Sequence, residues 1–287
     1  MLFDRILIPL DGPEIAEAIL GQVCRLLRRK DADVILFQAA TIPAQAGLEY
    51  GDLIASLKQE AEKYIASLTR QLVKEGVRAR GIVKVGTEAG TILDVAEQEK
   101  VTLIAMATHG RSGMPRFVFG SVAEKVLRAS PVPVLVIRSF KEVGPKSKRA
   151  PVQEIPFEKI LVPVDGSENS LKVIPHVKEF AKAYGASVMV LGIVDPESEG
   201  SKKKGAGEPL VRIAVKDFGA AAIPVDPVVR LGDPAAEILD AAKRHDADLI
   251  AMTTHGRSGV SRWVMGSVTE KVLRASTIPM LVVRSKA

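Results

Sequence analysis

The chain has 287 residues, enough for two domains of about 140 each. Hydrophobic residues are 47% and charged residues 26%, a globular balance, and no run reaches the roughly 18 apolar residues that a membrane span needs. The net charge of +6 does not describe a nucleic-acid surface. The basic residues cluster at a helix end, a linker and a loop, and aromatics are only 4%, too few for a stacking platform. The one cysteine, Cys24, excludes an intrachain disulfide, and the opening MLFDRILIPLDG lacks a signal core. A cytoplasmic location is expected.

In chain order, RILIPLDG predicts a buried strand entering an Asp-Gly turn. Residues 13–29 follow helical spacing and include Cys24 as a small core residue. VILFQAA (34–40) predicts a second buried strand, and Asp52–Glu75 a long amphipathic helix. ARGIVKVG, a helix at 88–99, TLIAMAT, a loop, a last helix and VPVLVIR complete the first half. Residues 140–156, polar and with three prolines, predict a linker. The series then recurs: KILVPVDG at 159–166, a helix over about 168–184, and the strand VMVLGIV at 188–194. A shorter and more broken helix follows at about Glu208–Phe218, then DPVVRLG, a helix at 234–245, DLIAMTT, a loop, a helix and IPMLVVR.

Continuous apolar strands alternating with amphipathic helices predict a parallel sheet covered on both faces. The expected fold class is α/β: two tandem doubly wound sandwich domains, each with a five-stranded parallel sheet and four helices. The expected boundaries are 1–139 and 157–287, joined by the 140–156 linker. In such folds a ligand lies beyond the carboxyl ends of the strands, at the topological switch. Asp11, Asp165 and the loop after strand four fall there.

That loop is the most informative string in the chain. LIAMATHGRSGMPRFVFGSVAEKVLRASPVPVLVIRS (103–139) and LIAMTTHGRSGVSRWVMGSVTEKVLRASTIPMLVVRS (249–285) share 27 of 37 positions at an offset of 146. Packing alone would keep residue class. Here Thr-His-Gly-Arg-Ser-Gly and Gly-Ser-Val are kept letter for letter. Gly120, Ser121 and Val122 open a helix, as do Gly266, Ser267 and Val268. Free N–H groups and the positive dipole end at a helix start make an anion site, to which Ser can add a hydroxyl. Gly110 and Gly256 would supply the turn leaving the strand, and Gly120 and Gly266 would let a phosphate approach the backbone. The bland alternative is that Ser121 and Ser267 only cap helices. Asp11 and Asp165 have their own, as turn residues or caps.

His109 and His255 have no nucleophile, carboxylate or metal-ligand spacing beside them. A structural or phosphate-neighbouring role is expected. Arg111 and Arg257 could screen phosphate charge, though most loop arginines are simply solvated. No catalytic residue and no protein metal cage is predicted. There is no Walker loop and no dinucleotide fingerprint.

These motifs resemble those of the universal stress protein family in its tandem form, over nearly the whole chain outside the linker. Nucleotide-binding members carry Gly-x2-Gly-x9-Gly-Ser/Thr after strand four. Gly110 and Gly120-Ser121 match it, as do Gly256 and Gly266-Ser267. Ala107 and Thr253 replace the first Gly; the bulkier Thr253 counts against the second site, but that copy has the fuller Asp-Gly-Ser turn (165–167) where the first has Pro13, so the two sites trade small defects. The resemblance implies that Asp11 and Asp165 meet the ribose or adenine, and that Ala39 and Ile193 line the adenine side. It implies binding of ATP, or of ADP or AMP, in a stress-linked sensor or regulator. Mg²⁺ could assist through the phosphates, with Asp11 and Asp165 as the nearby acids. Two alternatives stand beside this: a tandem stress protein without nucleotide affinity that acts through an unidentified protein partner, and a slow ATPase.

The last strands, Val132–Arg138 and Ile278–Arg284, are apolar and would be sheet edges. Family dimers form through this strand. The two copies are therefore expected to pair with each other there, as a pseudo-twofold, with a homodimer as a further layer. No membrane partner and no nucleic acid is expected.

Overall fold

The computed structural model describes residues 4–12, 20, 23, 32–41, 51–107, 120–137, 157–196, 208–255 and 265–285. They fall into two compact units, 4–137 and 157–285.

In the first unit the elements are β1 (Arg5–Pro9), β2 (Asp33–Ala40), α1 (Gly51–Lys74), β3 (Ala79–Val85), α2 (Glu88–Gln98), β4 (Leu103–Ala107), α3 (Ser121–Ala129) and β5 (Val134–Ile137). The strands pair in parallel in the order β3-β2-β1-β4-β5. Ile6, Leu7 and Ile8 of β1 have no exposed surface, and neither do Ile35 and Leu36 of β2. Such strands need cover on both faces, which accounts for their unbroken apolar runs. The edge strand β3 is half open to solvent. Helix α1 turns Ala61, Ile65 and Leu72 inward, and α3 turns Ala123, Val126 and Leu127 inward, both at helical spacing. The predicted helix at 13–29 and the position of Cys24 lie outside the described residues, apart from Leu20 and Val23, which are helical.

The second unit repeats the plan with β6 (Lys159–Val164), α4 (Glu168–Leu171), α5 (Ile174–Tyr184), β7 (Ser187–Val194), α6 (Glu208–Ala220), β8 (Val225–Leu231), α7 (Pro234–Arg244), β9 (Leu249–Thr253), α8 (Ser267–Ala275) and β10 (Met280–Val283). Its parallel order is β8-β7-β6-β9-β10. Phe157 stacks edge-on against Phe180 of α5 at 5.0 Å, anchoring the start of the unit.

Two helices differ from the sequence expectation. The single helix predicted over 168–184 is two pieces. Pro175 sits at the start of α5 and has no N–H for the carbonyl of Leu171, so the first turn stops and a new helix begins. The helix expected to be broken near Glu208–Phe218 is instead continuous to Ala220. Among the described residues, no helix is long and apolar enough to cross a membrane.

In both units the chain order reverses at the central strand, between β1 and β4 and between β6 and β9. This is the switch point at which open α/β sheets form a crevice.

Candidate functional site

Strand register brings the predicted residues to one end of each sheet. In the first unit Pro9 pairs with Phe37, and Leu7 with Ile104. Continuing those registers sets Asp11 level with Ala39, and Leu10 level with Ala107. In the second unit Val164 pairs with Gly192, and Leu161 with Ile250. Asp165 is then level with Ile193 and with Thr254. Asp11 is exposed, while Asp165, Ala39 and Ile193 are half-buried. His109, Gly110, Arg111, Gly256 and Arg257 lie outside the described residues.

The Asp165 turn is built by its own side chain. Asp165 Oδ1 accepts the backbone N–H of Ser167 at 3.0 Å and the Ser167 hydroxyl at 2.6 Å. Ser167 in turn caps α4, its Oγ accepting the N–H of Ser170 at 3.1 Å. The turn role weighed for Asp165 is therefore real, and it fixes the carboxylate at the strand end.

The helix starts are not capped by serine. Gly120 is the N-cap of α3 and Gly266 that of α8; neither helix has a side-chain capping bond. Ser121 and Ser267 are the first helical residues, and both are exposed. Val122 and Val268 follow, half-buried. The first-turn N–H groups have no partner within their helix, so they stand at the positive dipole end beside exposed hydroxyls.

Gly266 serves a purpose the sequence does not reveal. Its N–H donates to the Thr254 carbonyl at 2.8 Å. A Cβ there would lie 2.9 Å from that same oxygen. Close approach of the helix start to the end of β9 thus demands glycine by itself, whether or not a ligand needs the space.

Thr253 is also not the obstruction its size suggested. It is 5% exposed, and its hydroxyl turns inward to the His255 carbonyl at 2.9 Å. Thr269 of α8 donates to the Thr253 carbonyl at 2.9 Å. The Thr269 bond ties the helix to the strand end, and the Thr253 bond fixes the strand's exit. Sequence reasoning passed over Thr269, Thr254 and Ser285. Thr254 and Ser285 had a signal available, since Thr108 and Ser139 repeat them in the first copy.

His255 closes the group. Its Nδ1 lies 3.0 Å from the Thr254 hydroxyl and 3.3 Å from that of Ser285. The Ser285 N–H donates to the Thr254 hydroxyl at 3.3 Å. Burial pushes the His255 pKa below the ordinary 6.5, and the positive charge of Arg284 adds to this. The ring is therefore neutral at pH 7. Among the described residues, no cluster of three or more His, Cys, Asp or Glu could hold a metal ion.

Comparison with known proteins fits this plan. Residues 2–138 and 156–284 each match the universal stress protein family. A universal stress protein of Methanocaldococcus jannaschii is 32% identical over 145 residues, which cover 49% of this chain and 85% of that protein. One from Mycobacterium bovis is 24% identical over 284 residues, covering 94% of this chain and 92% of its own. A crystal structure of a universal stress protein from Archaeoglobus fulgidus superposes with a TM-score of 0.73 at 21% identity, over 99% of this chain and 98% of that one. The chain belongs to the universal stress protein family, with the family unit present twice in tandem.

Proposed function

We propose that each copy binds an adenine nucleotide, ATP first, and that the chain acts as a nucleotide-dependent sensor or regulator in a stress response. One observation carries this reading. An uncapped Gly-Ser helix start and a strand-end Asp occur together at the switch point of both units. The phosphates would accept hydrogen bonds from the first-turn N–H groups and from the hydroxyl of Ser121 or Ser267. Asp11 or Asp165 would meet the ribose or base, with Ala39 or Ile193 alongside. His109, Gly110, Arg111, Gly256 and Arg257 remain proposed neighbours of the phosphates. Arg284, close enough to act on His255, would add positive charge to the second site. Mg²⁺ would be held mainly by the phosphates and its own waters. Efficient hydrolysis is not part of the proposal, because His255 directs Nδ1 to two hydroxyls and no base for water is assigned.

Calorimetric titration of the full chain with ATP, ADP and AMP, with and without Mg²⁺, tests the reading. Saturable binding is expected. Ser121→Asp with Ser267→Asp should abolish it, because a carboxylate at the first helical residue suits the dipole but repels phosphate. Unchanged affinity in that folded double variant, or no binding by the wild-type chain, would remove the proposal and favour action through protein contacts.

A further inference from the structure

We infer that the two sites are not equivalent. Thr253 and Thr269 are positioning residues that hold the second helix start in place before ligand arrives, and the second copy is the tighter site. The inference rests on the nucleotide reading above and specifies which site dominates.

The second helix start is held to its strand at two points, and a third bond fixes the strand's exit. The Gly266 N–H reaches the Thr254 carbonyl at 2.8 Å. The Thr269 hydroxyl reaches the Thr253 carbonyl at 2.9 Å, and the Thr253 hydroxyl reaches the His255 carbonyl at 2.9 Å. Both threonines are buried, at 5% and 3% exposure, where water does not compete for the bonds. In the first copy the matching residues are Ala107 and Ala123. Each is a methyl group, so neither hydroxyl bond can form. Ten positions differ between the two 37-residue blocks, and these two differences remove the Thr269 tie and the Thr253 bond at the strand's exit.

The Asp turn differs in the same direction. Ser167 gives Asp165 an N–H and a hydroxyl. Its counterpart is Pro13, which has neither. The second site thus has hydroxyl bonds at its helix start and at its carboxylate that Ala107, Ala123 and Pro13 cannot form. With those bonds more of the second site's geometry is set before ligand arrives, and its affinity is higher accordingly. Ala107, nearer in size to the family's glycine, is therefore no sign of the better site. Thr253 reverses the order that size alone would give.

The test uses the full chain with one site blocked. Ser121→Asp leaves the second site to be read, and Ser267→Asp leaves the first. In titrations with Mg-ATP, the Ser121→Asp protein should bind about tenfold more tightly than the Ser267→Asp protein. Adding Thr253→Ala and Thr269→Ala to the Ser121→Asp protein should erase that advantage. Adding Ala107→Thr and Ala123→Thr to the Ser267→Asp protein should recover part of it. Equal affinities at the two sites, or threonine exchange without effect, overturns the inference. Hydrogen exchange without nucleotide separates this from failure of the nucleotide reading. The peptide spanning 265–275 should be better protected than 119–129, and Thr253→Ala with Thr269→Ala should abolish the difference. If the wild-type chain binds no ATP, the nucleotide reading falls. Equal protection of the two peptides then refutes the positioning role as well.

Discussion

The two copies carry nearly the same words after their fourth strands, yet their helix starts are held by different means. In the second, β9 and α8 are joined by the Gly266 N–H and the Thr269 hydroxyl, while the Thr253 hydroxyl fixes the strand's exit. In the first, Ala107 and Ala123 have no hydroxyl for either threonine bond. Letter identity in a motif therefore marks where a site lies, and the residues just outside the motif decide how firmly it is built.

The largest break in this comparison should come from glycine. Gly266→Val forces a branched side chain against the Thr254 carbonyl, which lies 2.9 Å from the Cβ position. A loss of about 1–3 kcal/mol is expected for the second unit in urea denaturation. Gly120→Val reports whether the first copy makes the same approach. If it costs nothing while Gly266→Val is severe, the two glycines do different jobs.

The Asp turn comes next. Asp165→Ala removes the acceptor for Ser167 and should cost about 1 kcal/mol in stability. An unchanged denaturation curve would show that the Ser167 turn adds nothing to stability. The threonine ties sharpen the contrast further. Thr269→Ala and Thr253→Ala should each cost about 0.5–1.5 kcal/mol, and their effects should be non-additive because both bonds meet at residue 253.

The smallest effect concerns pH. The His255 pKa is lowered in the folded protein, first by burial and then by Arg284. The unfolded chain thus binds a proton more readily. Stability is unaffected well above the ordinary value of 6.5, and it declines as pH falls from there toward the folded pKa. His176 contributes with the same sign, burial outweighing the opposing charge of Glu179. His255→Gln should flatten the acid side of the melting-temperature profile slightly. An unchanged profile would show that the ring is not desolvated.

Much of this was legible in the chain itself. Buried parallel strands such as ILI (6–8) and LIAM (249–252) announce themselves as unbroken apolar runs, because both faces are covered. Asp11, Asp165 and the Gly-Ser pairs fall at strand ends and helix starts by simple counting. What escaped were facts about direction and approach. The size of Thr253 suggested an obstruction, but its rotamer sends the hydroxyl to a carbonyl. Gly266 suggested space for a ligand, but a neighbouring backbone claims that space. Pro175 carried the helix break in plain view, although the apolar spacing ran through it. Local pattern encodes which face is buried and leaves open how closely two elements meet.

The placement of β1 and β6 has a consequence for how each unit is made. Arg5 donates to the Thr102 hydroxyl, 97 residues away, and Lys159 to the Asp248 carboxylate, 89 residues away. The first strand of each unit is synthesised first, yet it becomes the middle of the sheet only when the fourth arrives. Folding of each unit must therefore wait on a long-range closure, which slows it. Until then β1 or β6 presents an apolar edge with nothing alongside. The crevice that would hold a nucleotide is the product of that last closure, so it exists only in chains that have completed the unit.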